Sequence, residues 1–215
     1  MHPVLQTLKE IQSAVNEPED TVDTGKLTKN LKIFQEECDK DIAHRSLAAT
    51  NKAYQTLYSL TLRYKGDSVL LTTVLDSVCS LSNGQPDLID EDGMKGLLGI
   101  VKDYLKDQTV VLVSIKAIRL TCIMHETNRQ TYVKFGLIPL MLTVVNENKK
   151  HLLVVKEACM TLRGLTVDDD IRVPFGKAHD HAKMCVEEGA LKTLLDTMPG
   201  ESDRFYSRSA KPFWF

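Results

Sequence analysis

An all-helical, repeat-built solenoid is the fold class this sequence predicts, and three observations carry the prediction. Apolar residues recur at helical spacing along most of the chain. A short helix-like segment with a glycine, followed by a longer apolar stretch, occurs at Ile89–Met94, Val133–Leu137 and Val186–Ala190, with the glycines 43 and 53 residues apart. A weaker copy at Leu47–Tyr54 has Lys52 in the glycine's place, 41 residues before Gly93. A period near 42 is that of stacked helical units. Finally, the chain has 215 residues, of which 43 % are hydrophobic and 26 % charged. A fold of this size buries roughly 70 % of the surface its unfolded chain exposes, enough for a continuous core.

From the N-terminus, residues 2–15 read as a helix with Val4, Leu8, Ile11 and Val15 on one stripe. Asn16–Gly25 gathers Pro18, acidic side chains and threonines, the composition of a flexible acidic link. A second amphipathic helix follows, with Leu27, Leu31, Phe34 and Cys38 on one face, and residues 1–41 form an N-terminal helical extension. Residues 42–199 then hold three repeats and a partial fourth, and 200–215 form an irregular tail. Gly93, Gly136 and Gly189 are expected at sharp turns between first and second helices. Second helices run through Met94–Leu105, Pro139–Val145 and Leu191–Met198. Third helices span Val69–Leu81, Val110–Ile123 and Leu152–Leu165. Leu112, Ile115, Ile118, Leu120 and Cys122 exceed one narrow stripe, so such a helix has neighbours on more than one side. The longer final interval contains an inserted loop, Val167–His181, in which Phe175 is expected to anchor the loop to the helices. Phe205, Tyr206, Phe213, Trp214 and Phe215 in the tail have no helical period, and the last unit is expected to leave an unfinished apolar edge.

Composition narrows the function classes. Twenty-seven basic and 29 acidic residues give a formal charge of -2, which calls for neither a nucleic-acid backbone nor an acidic membrane. No apolar run is long enough to span a bilayer and no secretory pattern opens the chain, so an intracellular protein is expected, in cytoplasm or nucleus. Five cysteines, an odd number without paired metal spacing, read as reduced, buried side chains. No Gly-x-Ser-x-Gly elbow, His-Glu-x-x-His helix or phosphate-binding glycine loop is present, so neither an enzyme nor a cofactor is expected.

The three-helix units and the Val-Glu-Glu-Gly-Ala-Leu junction at 186–191 resemble armadillo repeats. Asn83–Leu88, Glu126–Gln130, Lys156–Cys159 and above all Asp168–Gly176 with Ala178–Met184 carry the resemblance to one branch of that family, of which this looks like a shortened chain. It covers about residues 2–198 and implies an armadillo-type right-handed α-solenoid with an incomplete C-terminal unit. It also implies a non-enzymatic scaffold or adaptor that binds proteins or extended peptides in a concave groove lined by third helices. Small-molecule substrates, specific nucleic acid and membrane insertion are not expected. Aligned on Ala158, the positions where peptide-binding relatives carry asparagines hold Ser80, Leu120 and Gly164, and those with tryptophans hold Asp76, Lys116 and Met160. None keeps the ladder residue, so import-signal binding is not implied.

Candidate partner-binding residues are therefore Asp76, Ser80, Lys116 and Met160. A separate candidate is a metal set of His179, His181 and Cys185, since a helix begun near Asp180 places His181 and Cys185 on one face with ligands zinc accepts. The structural alternative has Asp169 or Asp170 capping a turn and the histidines holding the loop by hydrogen bonds. Two other functions stay open: a structural subunit assembling through the unfinished edge, and a metal-dependent hydrolase built on the histidine loop.

Overall fold

The helices begin where the sequence supplies acceptors for their unpaired amide groups. Asp67 Oδ1 accepts from the Val69 and Leu70 amides, and Asp107 Oδ1 from those of Thr109 and Val110. Asp23, Asp41 and Asp90 cap three further helices through the amides of Lys26, His44 and Gly93. In the computed structural model, which describes residues 2–197, these caps open an all-helical chain. The helices are α1 (Pro3–Asn16), α2 (Thr24–Lys40), α3 (Ile42–Thr50), α4 (Ala53–Arg63), α5 (Ser68–Ser82) and α6 (Glu91–Asp103). They continue with α7 (Gln108–Cys122), α8 (Glu126–Lys134), α9 (Leu137–Glu147), α10 (Leu152–Leu165), α11 (Ala178–Glu187) and α12 (Ala190–Leu195). Short 3-10 turns occupy Glu19–Thr21 and Pro86–Leu88.

These elements stack as an armadillo-like α-solenoid. The expected third helices are α5, α7 and α10, each packed against the next, and α2 packs on α5 in the same way. Their packing explains the breadth of apolar residues. In α7, Val110, Val111, Val113, Ile115, Ala117, Ile118 and Cys122 are all buried, because neighbours on both flanks and α6 behind enclose it. Ser77, Ser114 and Thr161 are buried within this row, and each hydroxyl donates to the carbonyl four residues back, which leaves no orphaned donor.

The turn into each third helix repeats. Asp67 N donates to Tyr64 O, Asp107 N to Tyr104 O, and His151 N to Asn148 O. Successive turns are tied together, since Tyr104 Oη donates to Lys65 O and Asn148 Nδ2 to Leu105 O at 3.0 Å. At the other end, Gly136 and Gly189 take φ of +86° and +85° between first and second helices. Lys52 takes φ +65° at the equivalent bend, as its place in the repeat predicts.

Three local expectations are corrected. Gly93 is no turn glycine: the second unit has only the Pro86–Leu88 turn in place of a first helix, and Gly93 lies in the first turn of α6. It is small because a Cβ there would overlap the Tyr54 hydroxyl. The acidic stretch after α1 is also ordered locally, by the Glu19–Thr21 turn and the Asp23 cap. Arg63 holds the end of α1, donating to the carbonyls of Ala14, Val15 and Glu17. Finally, Phe175 does not anchor the inserted loop, being 91 % exposed. Polar contacts described below do so. The aromatic tail and the expected helix end at Met198 lie outside the described residues.

Candidate functional site

Third helices stacked side by side present one row of solvent-facing positions, and the candidate residues fall on it. Asp76 and Ser80 are half-buried on α5, Lys116 is exposed on α7, and Met160 is 36 % exposed on α10. Burial raises the Asp76 pKa, the Lys116 ammonium lowers it and Asp39 raises it, with a net upward shift. Asp39, Asp76 and Lys116 thus share one electrostatic neighbourhood on three adjacent helices. Between α7 and α10, Arg119 Nε donates to Glu157 Oε1. The row carries Asp39 and Asp76 at one end and Lys116, Arg119 and Arg163 toward the other.

Met160 and Gly164 also line a cleft of about 230 Å³ with Arg119, Arg129, Arg163 and Val167. A larger, mainly apolar cleft of about 430 Å³ lies between α4 and α6, where Tyr54 and Tyr58 face Gly93 and Gly96.

The motifs most specific to the resemblance converge at one edge of the stack. His125 caps α8 by accepting from Asn128 N at its Nδ1, which leaves Nε2–H to donate to Asp87 Oδ1 at 2.6 Å. Asn128 Nδ2 donates to the carbonyls of Pro86 and Thr121. Arg129, 1 % exposed, joins Glu126 Oε2 at 3.0 Å to Asp169 Oδ1 at 2.5 Å. Asp170 Oδ2 accepts from Glu126 N, and Glu126 Oε1 accepts from Lys177 N. Arg172 reaches Asp170 and the Met124 carbonyl. The loop from Asp168 to Gly176 is therefore a strap bound to α8, with Ile171 and Phe175 left exposed. Gly176 is needed there, since a Cβ would come within 2.7 Å of Asp168 Oδ1.

These contacts set the acid response of the strap. The Arg172 guanidinium, and then the Glu126 amide, hold the Asp170 carboxyl far below the usual carboxylate range. Burial alone would raise Glu126, but hydrogen bonds from Gln130, the Lys177 amide and Arg129 bring it below its ordinary value. Both groups bind protons more weakly folded than unfolded. Their stabilisation is complete above about pH 5 and is lost as pH falls from about 4 through the folded values. Thermal melts between neutral and acid pH are expected to show Asp170→Asn losing less stability on acidification than the parent. Parallel pH profiles would contradict this.

The metal set is not brought together. His181 and Cys185 share the buried face of α11, as their spacing predicts, but His179 lies two residues away on the exposed side. His181 Nδ1 donates to the Leu165 carbonyl at 3.0 Å, which fixes α11 to the end of α10. Among the described residues no three His, Cys, Asp or Glu side chains are grouped to hold a metal. Four of the five cysteines are buried and Cys159 is half-buried, with burial pushing the thiols of Cys38, Cys79 and Cys122 up to about 12. Among the described residues no helix is long and apolar enough to cross a membrane.

Arg129 and Arg163 are the site residues that sequence reasoning missed. Glu126 and Arg129 stand three apart on one helix, a legible pair, but the partner Asp169 lies 40 residues on. Nothing in the sequence marks the cleft beside Arg163.

The ARMC6 family model matches residues 4–205. Armadillo repeat-containing protein 6 of Pongo abelii is 39 % identical over 197 residues, covering 91 % of this chain and 38 % of that protein. The Homo sapiens protein of the same name is 38 % identical over the same span and shares. The Drosophila melanogaster homolog is 33 % identical over 206 residues, or 89 % of this chain and 44 % of its own. The chain thus spans about two-fifths of the length of these relatives. With a family model over nearly all of its length and an armadillo-like stack of helices, the chain belongs to the armadillo repeat-containing protein 6 family.

Proposed function

We propose that this chain is a non-enzymatic, intracellular scaffold or adaptor that binds proteins or extended peptides on the concave wall made by α5, α7 and α10. The observation that carries this reading is the row itself: half-buried Asp76 and exposed Lys116 and Met160 stand on three adjacent helices whose other faces are closed by packing. Side chains at those positions contribute little to the core, so the row is free to vary with a partner. Binding desolvates the wall, pairs its charges and lays apolar partner groups on Met160, whose unbranched thioether adapts to different shapes. The family name, which speaks of repeats and of no reaction, agrees with this reading.

The test is affinity capture from cell extract with the intact chain beside a Lys116→Glu/Met160→Ala double variant. Met160→Ala is expected to change stability by only about 0.5 kcal/mol, while Lys116→Glu, beside half-buried Asp76, is expected to cost about 1 kcal/mol, and both chains should melt cooperatively. The expected result is a protein retained by the intact chain and reduced about tenfold on the variant, the effect of losing roughly 1.4 kcal/mol of contact. Equal recovery on both chains would remove the wall from the account.

A further inference from the structure

We propose that the cleft at the C-terminal ends of α7 and α10 receives the carboxylate of a glutamate or aspartate side chain from an extended partner peptide. The inference rests on that wall being the partner surface, and it names the chemistry that one part of the wall selects.

The cleft holds about 230 Å³, room for one side chain, and its lining includes Arg119, Arg129, Met160, Arg163, Gly164, Val167 and the carboxylate residue Asp169. An arginine side chain offers five N–H donors and no acceptor, so its unpaired donors call for an oxygen. All three arginines keep donors unused. Arg129 gives Nε to Glu126 and Nη1 to Asp169, but its Nη2 is buried with no hydrogen-bond partner. Arg163 is exposed, and its side chain has neither a hydrogen bond nor an ion pair among the described residues. Arg119 is paired with Glu157 through Nε alone.

The carboxylates at the cleft are already committed. Glu157 accepts from Arg119, Asp169 from Arg129, and Glu126 from Arg129, Gln130 and the Lys177 amide. Arg163 is the one arginine of the cleft without an ion-pair partner, but the three arginines are matched by three carboxylates, so a ligand carboxylate is held by the guanidinium donors left over and not by a net positive charge. Met160 and Val167 give the methylene stem of such a residue an apolar wall. A Cβ added at Gly164 would meet nothing within 4 Å, so the backbone there leaves space for the entering chain. The clasp of Asp169 on Arg129 fixes the guanidinium before a ligand arrives, which lowers the ordering cost of binding.

The test uses a displayed library of random dodecapeptides, selected separately on the intact chain, on Arg163→Glu and on Lys116→Glu/Met160→Ala, each confirmed folded by its melt. The intact chain is expected to enrich Glu or Asp at one position. A selected peptide should lose about tenfold in affinity when that residue becomes Gln. Arg163→Glu should abolish the enrichment, and Arg163→Lys should keep the preference for an acid. Peptides selected without an acidic preference, or a preference that survives Arg163→Glu, would overturn the cleft while leaving the wall if they remain sensitive to the double variant. Peptides insensitive to the double variant, or no selected peptide at all, would overturn wall and cleft together.

Discussion

Replacing Arg129 with alanine is expected to destabilise the chain by about 3–5 kcal/mol, the range measured when one partner of a buried ion pair is removed. The residue is 1 % exposed and holds two carboxylates, Glu126 and Asp169. Alanine would leave the Glu126 carboxylate buried without its cation and open a cavity where one of the largest fully buried side chains stood. For a chain of this length each kcal/mol moves Tm by about 2–4 °C, so a fall of roughly 10 °C is expected. Arg129→Lys should recover only part of it, because an ammonium cannot present two separated donors as a planar fork does. Hydrogen exchange should localise the damage: amides of the Asp168–Gly176 strap lose protection while those of α5 keep it. A loss below about 1 kcal/mol would show that the clasp does not hold the strap.

Gly93→Ala is the second large effect, and its sign is set by a competition. Helix propensity favours alanine by up to about 1 kcal/mol at a position inside α6. Against that, the new Cβ would overlap the Tyr54 hydroxyl, come 3.0 Å from Ile89 Cγ1 and lie 3.2 Å from Asp90 Oδ1. Overpacking of this kind costs about 1–3 kcal/mol, so net destabilisation is expected. Removing the hydroxyl with Tyr54→Phe takes away the worst clash. In a double-mutant cycle the two substitutions should therefore couple favourably by at least about 1 kcal/mol. Urea unfolding of the four chains measures it, and additive effects would contradict the packing argument.

The periodic parts of the fold were legible because each rests on a local rule. The third helices begin and end within two residues of their expected limits, since Asp67 and Asp107 cap them and apolar runs continue to Leu81 and Cys122. Gly136, Gly189 and Lys52 all sit at left-handed bends for the same reason, their place in the unit. Gly93 shows the limit of that reasoning. A glycine at the expected spacing serves a different need, contact with Tyr54 on another helix, and no local pattern distinguishes the two.

The loop shows the limit again. Its resemblance to the family was plain from Asp168 to Gly176, yet its mode of attachment was not. An aromatic in a loop reads as an anchor, but Phe175 is exposed and Asp169 and Asp170 do the anchoring. Their partners, Arg129 and the Glu126 amide, come from α8, separated from the loop by α9 and α10. The histidines followed the bland alternative for His181, which bonds a backbone carbonyl. The wall residues were legible as surface by analogy with related third helices, while the Arg163 cleft needed the stack itself. Only in three dimensions do the ends of α7 and α10 and the strap meet.

The central claim is that partners lie on the row formed by α5, α7 and α10. Hydrogen exchange of the chain, free and bound to the captured partner, tests it most directly. The account predicts added protection at the ends of α7 and α10 and in α5 around Asp76, with the amides of α4, α6 and α9 unchanged. Protection confined to α4, α6 and α9, with the third helices unaffected, would contradict it.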